Sequence, residues 1–541
     1  MAETETQSFD NEQTVHTHAQ EGTLEEFHES YEEAVETVRD ALGATHPLRI
    51  DGGSVETDET FTVTSPGDTN LVVGEFASGD ENDVEHAVRA ASEAFEDWRA
   101  TGWGERAEAV RDAADKMSER KYELAATLSF ENGKDRMEAM AETDEAIDFL
   151  RFYAHELERN EGYARETGEP TPGQHCANLL RPYGVFGVVS PFNFPLAIFA
   201  GMTTGALIMG NTVVTKPASD TPLVAHKVVD AFESAGVPDG VLNLVTGGGR
   251  EVGETLVEHE KVEGFAFTGS REVGTRIERR FHEQGKRGPV VAELGGKNPV
   301  VVTSEADLGK AIEGVKKGAF SFAGQKCSAT SRVYVQEDVF EVFVERLVKE
   351  TDEIPVAHPE ERDALVAPVI DEDALERYER ICKEARDVGD VLTGGEVVET
   401  PSSEHDLPDG RYVTPTVVTD VPHDHELARD EYFLPFVTVH AVASLDEGIE
   451  KSNDSDYGLC AGLFTEDAAE AEIWLDRIES GMCYVNRSQS ATTGALVGAQ
   501  PFGGWKFSGT TGKFAGGYHY LQQFAREQTR TVVGDVGSPG R

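Results

Sequence analysis

A cysteine set among small residues, Gly324-Gln325-Lys326-Cys327-Ser328-Ala329, lies 34 positions after the glutamate of Glu293-Leu294-Gly295-Gly296-Lys297. A thiol in such a segment, with a carboxylate elsewhere in the chain, suits covalent catalysis assisted by a general base. Alone, Cys327 reads better as a small, inert buried hydrophobe. Upstream residues add to the chemistry. Asn193, held between prolines in Pro191-Phe192-Asn193-Phe194-Pro195, offers a positioned amide donor, although an Asx-turn residue would look the same. Lys216, in Lys216-Pro217-Ala218-Ser219, could reach ribose hydroxyls or phosphate from a strand end; a solvated turn lysine is the plain alternative. Thr268-Gly269-Ser270 opens a helix whose free N–H groups suit an anion. The G-x-G-x-x-G fingerprint is absent, because Gly247-Gly248-Gly249 is followed by Val252 where the last glycine should fall.

Those residues need a scaffold. From Tyr183 to Leu294 apolar runs at 185–190, 212–216, 241–246, 262–268 and 290–294 alternate with helical stretches. That alternation predicts a parallel, doubly wound sheet with helices on both faces, and ligands outside the carboxyl ends of its strands. Arg-Glu-Val-Gly occurs at 250–253 and again at 271–274, suggesting two βα turns of similar geometry. A second α/β unit follows from about 296, with strands near 299–303, 331–336, 436–442, 460–465 and 482–485. Before these lie a polar, acidic segment (1–22) that reads as a mobile tail, a helical stretch at 24–42, a short β region, and amphipathic helices at about 81–100, 104–131 and 135–159. Residues 162–174 read as a connector.

The 541 residues allow several domains with full cores, and 100 acidic against 48 basic residues leave a net charge of −52. The acid is spread through amphipathic segments, as expected of a protein working where concentrated cations screen repulsion. No basic stripe exists to neutralise phosphates, which excludes nucleic acid as the expected partner. Five scattered cysteines with no CxxC pair argue against a disulfide framework and a thiolate metal site, so no metal is expected. No apolar run spans a membrane, and the N-terminus lacks signal-peptide character. The expectation is a soluble, cytoplasmic protein.

In combination PFNFP, TKPAS, FTGSREVG, ELGGKNP, GQKCSA and EYFLPF, in this order, resemble the aldehyde dehydrogenase superfamily across residues 24–535. The resemblance implies an α/β fold with a variant Rossmann cofactor domain, a second α/β catalytic domain and a small β oligomerisation element. It divides the chain into an acidic tail (1–22), a dinucleotide-binding domain (23–165 and 184–295), a catalytic domain (296–510) and an oligomerisation element (166–183 and 511–541). It further implies Cys327 as nucleophile, Glu293 as base for water, Asn193 as oxyanion donor, and Glu431 and Phe433 at the nicotinamide ribose and ring. Lys216, Ser219, Gly269 and Ser270 would serve the adenosine ribose and pyrophosphate. Ser219 replaces a glutamate common in NAD-preferring relatives, so the expected cofactor is NAD with NADP also admissible; Leu434 replaces a usual glycine.

The stretch NR…TGALVG.QPFGG…SGT…AGG..YL is similar to the 1-pyrroline-5-carboxylate dehydrogenase branch of that superfamily. In that branch Ser328, Gly494 and Ala495 would grip a substrate carboxylate, as a hydroxyl and two N–H groups can without adding a fixed charge. The implied reaction is oxidation of 1-pyrroline-5-carboxylate, as glutamate γ-semialdehyde, to glutamate in proline breakdown. A homo-oligomer and a proline dehydrogenase partner are implied with it. Rival readings are another semialdehyde or general aldehyde dehydrogenase, a catalytically silent acidic binding protein, and a cysteine hydrolase, the last weakened because no histidine lies near the Cys327 loop.

Overall fold

A computed structural model describes residues 9–401, 407–488, 496–534, 536–537 and 539–540. Two seven-stranded sheets dominate it. Across the first the order is Val290–Glu293, Val262–Thr268, Val185–Val189, Thr212–Lys216, Leu242–Leu244, Leu48–Ile50 and Gly53–Val55. The five strands between 185 and 293 are parallel, while the two from the N-terminal region add antiparallel at one edge. The chain leaves Val185–Val189 in one direction for the next two strands and crosses to its other side for the last two. The carboxyl end of that strand is therefore the switch point where a ligand crevice forms. Asn193 lies in the loop that follows it.

The second sheet runs Asp390–Thr393, Thr416–Thr419, Phe436–Val442, Thr330–Gln336, Asn298–Val302, Cys460–Phe464 and Met482–Val485. All its neighbours are parallel except the first pair. Both sheets are buried on two faces, each between two apolar clusters, which is why their strands read as continuous rather than alternating apolar runs. A three-stranded sheet joins Ala164–Gly168, Gln174–Pro182 and Ala525–Val533. Helices use the chain's abundant acid at their N-termini: Asp80, Asp135, Asp307, Asp371 and Asp467 each accept backbone N–H groups there.

Several expectations need correction. Residues 9–22 are not a free tail. Thr14–Glu21 is a helix, and the Asp144 carboxylate accepts from the Thr14 N–H at 2.7 Å and the Thr14 hydroxyl at 2.7 Å. Asp148 accepts from the Glu12 N–H at 2.8 Å, and Phe9 stands edge-on to Phe152 at 5.2 Å. Partners more than a hundred residues away pin this segment, so local composition could not reveal it. The helix expected over 104–131 is two, Trp103–Glu119 and Lys121–Asn132, broken where Arg120 leaves helical geometry (φ −117°, ψ 19°). The connector contains the strand Ala164–Gly168. The two Arg-Glu-Val-Gly turns differ: the first lies in a π-helical turn, Gly249–Glu254, and the second opens the α-helix Arg271–Glu283.

Candidate active site

Cys327 is half-buried just before the strand Thr330–Gln336, after a tight turn with Phe322, Ala323 and Gly324 at φ 53°, 51° and 66°. Left-handed conformations at two non-glycine residues in succession must be held by their surroundings. A Cβ on Gly324 would lie 2.3 Å from the Leu434 carbonyl oxygen, so the close approach of that chain requires glycine. The Asn298 amide then fixes the backbone around Cys327, donating to the carbonyls of Cys327 at 2.8 Å and Ala329 at 2.9 Å while accepting from the Cys460 N–H at 3.0 Å. Gln325, fully buried, donates to Pro368 O at 3.1 Å and accepts from the Ile370 N–H at 2.9 Å.

Glu293 ends the strand Val290–Glu293, its backbone carbonyl accepting from the Gly269 N–H at 3.2 Å. Its Oε2 is enclosed and has no hydrogen-bond partner. Burial pushes this carboxyl well above the usual carboxylate range, opposed by the Gly504 backbone N–H. Glu431 accepts from the Gly296 N–H at 2.9 Å. Burial raises its carboxyl to about 7, against that hydrogen bond, Lys297 and Arg377. Burial, then Glu431, then Glu293 push the Cys327 thiol far up, with the Ser328 backbone opposing. The fields of both glutamates thus reach the thiol, and the Glu293–Asn298 turn touches both other segments, Gly296 donating to Glu431 and Asn298 to the Cys327 carbonyl.

Asn193 is buried in the loop between Val185–Val189 and the helix Ala197–Ile208. Its neighbour Phe192 meets Phe433 edge-on at 5.8 Å, bringing this loop to the Glu431 segment. Phe433 itself has φ 62°. Leu434 is a core residue packed in the cluster beneath the second sheet, which accounts for a large apolar side chain there. Ser328 is buried beside the nucleophile. Gly494 and Ala495 lie outside the described residues.

The remaining cofactor candidates follow two other strands of the first sheet, Lys216 and Ser219 at the end of Thr212–Lys216 and Gly269 and Ser270 after Val262–Thr268. A cavity of about 170 Å³ is lined there by Val189, Lys216, Gly249, Gly253, Phe267, Val273 and Ile277, among others. Lys216 donates to its neighbour's carbonyl, Pro217 O, at 2.9 Å, and burial lowers its ammonium to about 8. The slot is mainly apolar, with Lys216, Arg276 and Arg280 and the carboxylates of Glu254 and Glu258 also in its lining, which fits an adenosine moiety. Ser219 donates to Gly247 O at 3.2 Å. Ser270 caps the helix Arg271–Glu283, its Oγ accepting from the Val273 N–H at 3.4 Å. Two N–H groups of this turn, those of Gly269 and Val273, are therefore already engaged within the protein, unlike the open set expected from sequence. Among the described residues no group of three His, Cys, Asp or Glu is arranged to hold a metal, and no helix is long and apolar enough to cross a membrane.

Sequence reasoning missed the buried charges behind the site. Lys134 and Glu142 pair in the interior, Lys326 pairs with Glu138 at 2.7 Å, and Lys297, its ammonium lowered by burial to about 7, donates to Leu427 O at 2.9 Å. The available signal was charge on the inward face of the helix Arg136–Arg159.

Comparison with known proteins gives the family. The model of the aldehyde dehydrogenase family matches residues 54–530. The chain is 39% identical over 509 residues to 1-pyrroline-5-carboxylate dehydrogenase 2 of Bacillus subtilis, covering 93% of this chain and 95% of that protein. A solved 1-pyrroline-5-carboxylate dehydrogenase of Thermus thermophilus (R100A mutant) superposes with TM-score 0.90 at 35% identity, covering 97% of this chain and 99% of that one. A Thermus 1-pyrroline-5-carboxylate dehydrogenase structure with bound NAD matches with the same TM-score, 0.90, at 35% identity and the same coverage of 97% and 99%. Proline utilization A from Bdellovibrio bacteriovorus superposes with TM-score 0.91 at 34% identity, over 98% of this chain and 54% of that chain. With a family match over most of its length and with Cys327, Glu293 and Glu431 enclosed together, this chain belongs to the aldehyde dehydrogenase family.

Proposed function

We propose that this protein oxidises 1-pyrroline-5-carboxylate, as its open form glutamate γ-semialdehyde, to glutamate in the breakdown of proline, with NAD as the cofactor and NADP also accepted. The observation that carries this reading is the convergence on the Glu293–Asn298 turn of Glu431, which accepts from the Gly296 N–H, and of Cys327, whose carbonyl accepts from the Asn298 amide. The names of its relatives at 39% identity and the NAD held by the Thermus structure support it.

The Cys327 sulfur, as the thiolate left once its proton has passed to solvent, attacks the aldehyde carbon, forming a C–S bond and placing negative charge on oxygen. The Asn193 amide and the Cys327 backbone N–H donate to that oxyanion; loss of one such donor typically costs about 3–4 kcal/mol of barrier. Bound NAD supplies the hydride acceptor. Lys216, Ser219 and the turn at Gly269-Ser270 would hold its adenosine and pyrophosphate ends, and Glu431 and Phe433 the nicotinamide end. Once a thioester joins Cys327 to the acyl group, Glu293 draws a proton from water, whose oxygen displaces the sulfur and releases the acid. Ser328, with Gly494 and Ala495, holds the substrate's α-carboxylate.

The chain works as a cytoplasmic homo-oligomer adapted to concentrated salt, receiving its substrate from a proline dehydrogenase. Its segments 166–183 and 511–541 form the subunit contact, beside the dinucleotide-binding (23–165, 184–295) and catalytic (296–510) domains. Steady-state rates with pyrroline-carboxylate, succinic semialdehyde and propionaldehyde, each with NAD and with NADP in molar KCl, test the reading. Preference for pyrroline-carboxylate is expected. Equal kcat/KM for the three aldehydes would sink the assignment.

A further inference from the structure

The mechanism leaves unused an ion pair whose two side chains have no exposed surface at all, Lys134 with Glu142. A buried pair is poor evidence for stability, because apolar residues of similar volume often do as well. What surrounds this one is more specific. The Lys134 ammonium lies 3.5 Å from the centroid of the Phe194 ring and 4.8 Å from that of Phe322. Phe194 directly follows Asn193, and Phe322 belongs to the left-handed turn that leads into Cys327. One cation therefore holds the faces of two aromatic rings, one from each loop that contributes an oxyanion donor.

The glutamate completes the arrangement. While one oxygen pairs with Lys134, the other accepts the N–H groups of Leu196 at 2.8 Å and Ala197 at 3.2 Å, at the start of the helix into which the Asn193 loop runs. On the other side the Asn132 amide donates to Phe192 O at 3.3 Å and accepts the Lys134 N–H at 3.2 Å. The residue before Asn193, the residue after it and the helix it enters are thus all tied to the stretch 132–142. One turn earlier on the same helix Glu138 accepts from Lys326, the residue before Cys327, at 2.7 Å.

We propose that Lys134 and Glu142 are positioning residues that hold the Asn193 loop in register with the Cys327 turn, so that the two oxyanion donors converge. This rests on the reading of Asn193 and the Cys327 N–H as those donors. It requires no contact between the pair and the substrate.

A double-mutant cycle with Asn193→Ala tests it, using Glu142→Gln and, as a second variant uncharged at both positions, Lys134→Met/Glu142→Gln. Burial already pushes the Lys134 ammonium down, so a neutral lysine beside the amide that Glu142→Gln introduces is a state the interior can hold. Both variants are expected to lower kcat about tenfold with propionaldehyde as with pyrroline-carboxylate, leaving KM and alkylation of Cys327 by iodoacetamide, which forms no oxyanion, within about twofold. Placed in the Asn193→Ala protein, each is expected to cost less than about twofold more, because the donor it positions is gone. The same fold-loss in both backgrounds, unchanged kcat, alkylation falling in parallel, or failure of both variants to fold would each overturn the proposal. So would full activity of Asn193→Ala alone. Turnover of propionaldehyde without turnover of pyrroline-carboxylate would sink the substrate assignment and leave this cycle intact.

Discussion

At Cys327 the surroundings oppose the thiolate: burial and two carboxylates all push the thiol up. The same burial raises Glu293, so in the resting site both groups favour their protonated forms. Glu293 is useful for deacylation only when ionised. A base with a raised pKa is protonated below that value, so steady-state turnover should climb as pH rises toward it. Glu293→Gln should remove that climb, lower turnover by about 10²–10⁴ and leave a burst of one NADH per subunit visible by stopped-flow absorbance. An unchanged steady state with no burst would take Glu293 out of the step. Ser219 is the other residue with a separable consequence. A carboxylate there would face the extra phosphate of NADP, so Ser219→Glu should cut kcat/KM for NADP by about tenfold or more while sparing NAD.

Among the elements, the helix Pro222–Ser234 has no side-chain cap of its own, and Glu131 from another helix supplies one, accepting from the N–H groups of Leu223 and of Val224 at 3.0 Å. Burial raises this carboxyl from an ordinary 4.5 to about 8. The folded protein then keeps a proton that the unfolded chain loses above 4.5, so this group's contribution declines as pH rises from 4.5 through about 8, by at most about 1.4 kcal/mol per pH unit. Glu131→Gln should flatten the pH dependence of the urea midpoint across that window; an unaltered slope would count against it. The segment 9–22, with its helix Thr14–Glu21, also partners buried acid, since Asp148 and Asp144 lose the N–H groups of Glu12 and Thr14 without it. Removing residues 1–22 should therefore destabilise the protein by about 2 kcal/mol or more, read as a lower denaturant midpoint.

For the whole molecule the net charge of −52 sets the conditions of stability. Most of the ion pairs are exposed and worth little individually, so they do not offset repulsion spread over 100 acidic side chains. Screening does: the Debye length falls from about 10 Å at 0.1 M salt to about 3 Å at 1 M. The thermal midpoint should rise steadily with KCl between these concentrations. Buried acids raised like Glu131, among them Glu145 at about 8 and Asp148 at about 7, add a decline from mildly acidic to alkaline pH at any fixed salt. A midpoint indifferent to KCl would mean that the acidic surface is not a burden to be screened.

The sequence by itself determined the strands and their loops. Val185–Val189, Thr212–Lys216 and Val262–Thr268 are legible because a strand buried on both faces must be apolar throughout. Cys327 and Glu293 are legible because a thiol among small residues and a carboxylate at a strand end are unusual choices unless chemistry needs them. The antiparallel edges, Leu48–Ile50 with Gly53–Val55 and Asp390–Thr393, are short and pair across long separations, so no local period announces them as part of their sheets. The tertiary structure alone decided that the acidic N-terminal segment is a docked helix, that Asn298 and Gln325 fix the turn around Cys327, and that Lys134 and Glu142 stand behind both the Asn193 loop and the Cys327 turn. Each is a matter of which distant groups share a small volume. A charged residue in a chain of this composition looks like surface until folding encloses it, because only the fold supplies the partner that makes burial tolerable.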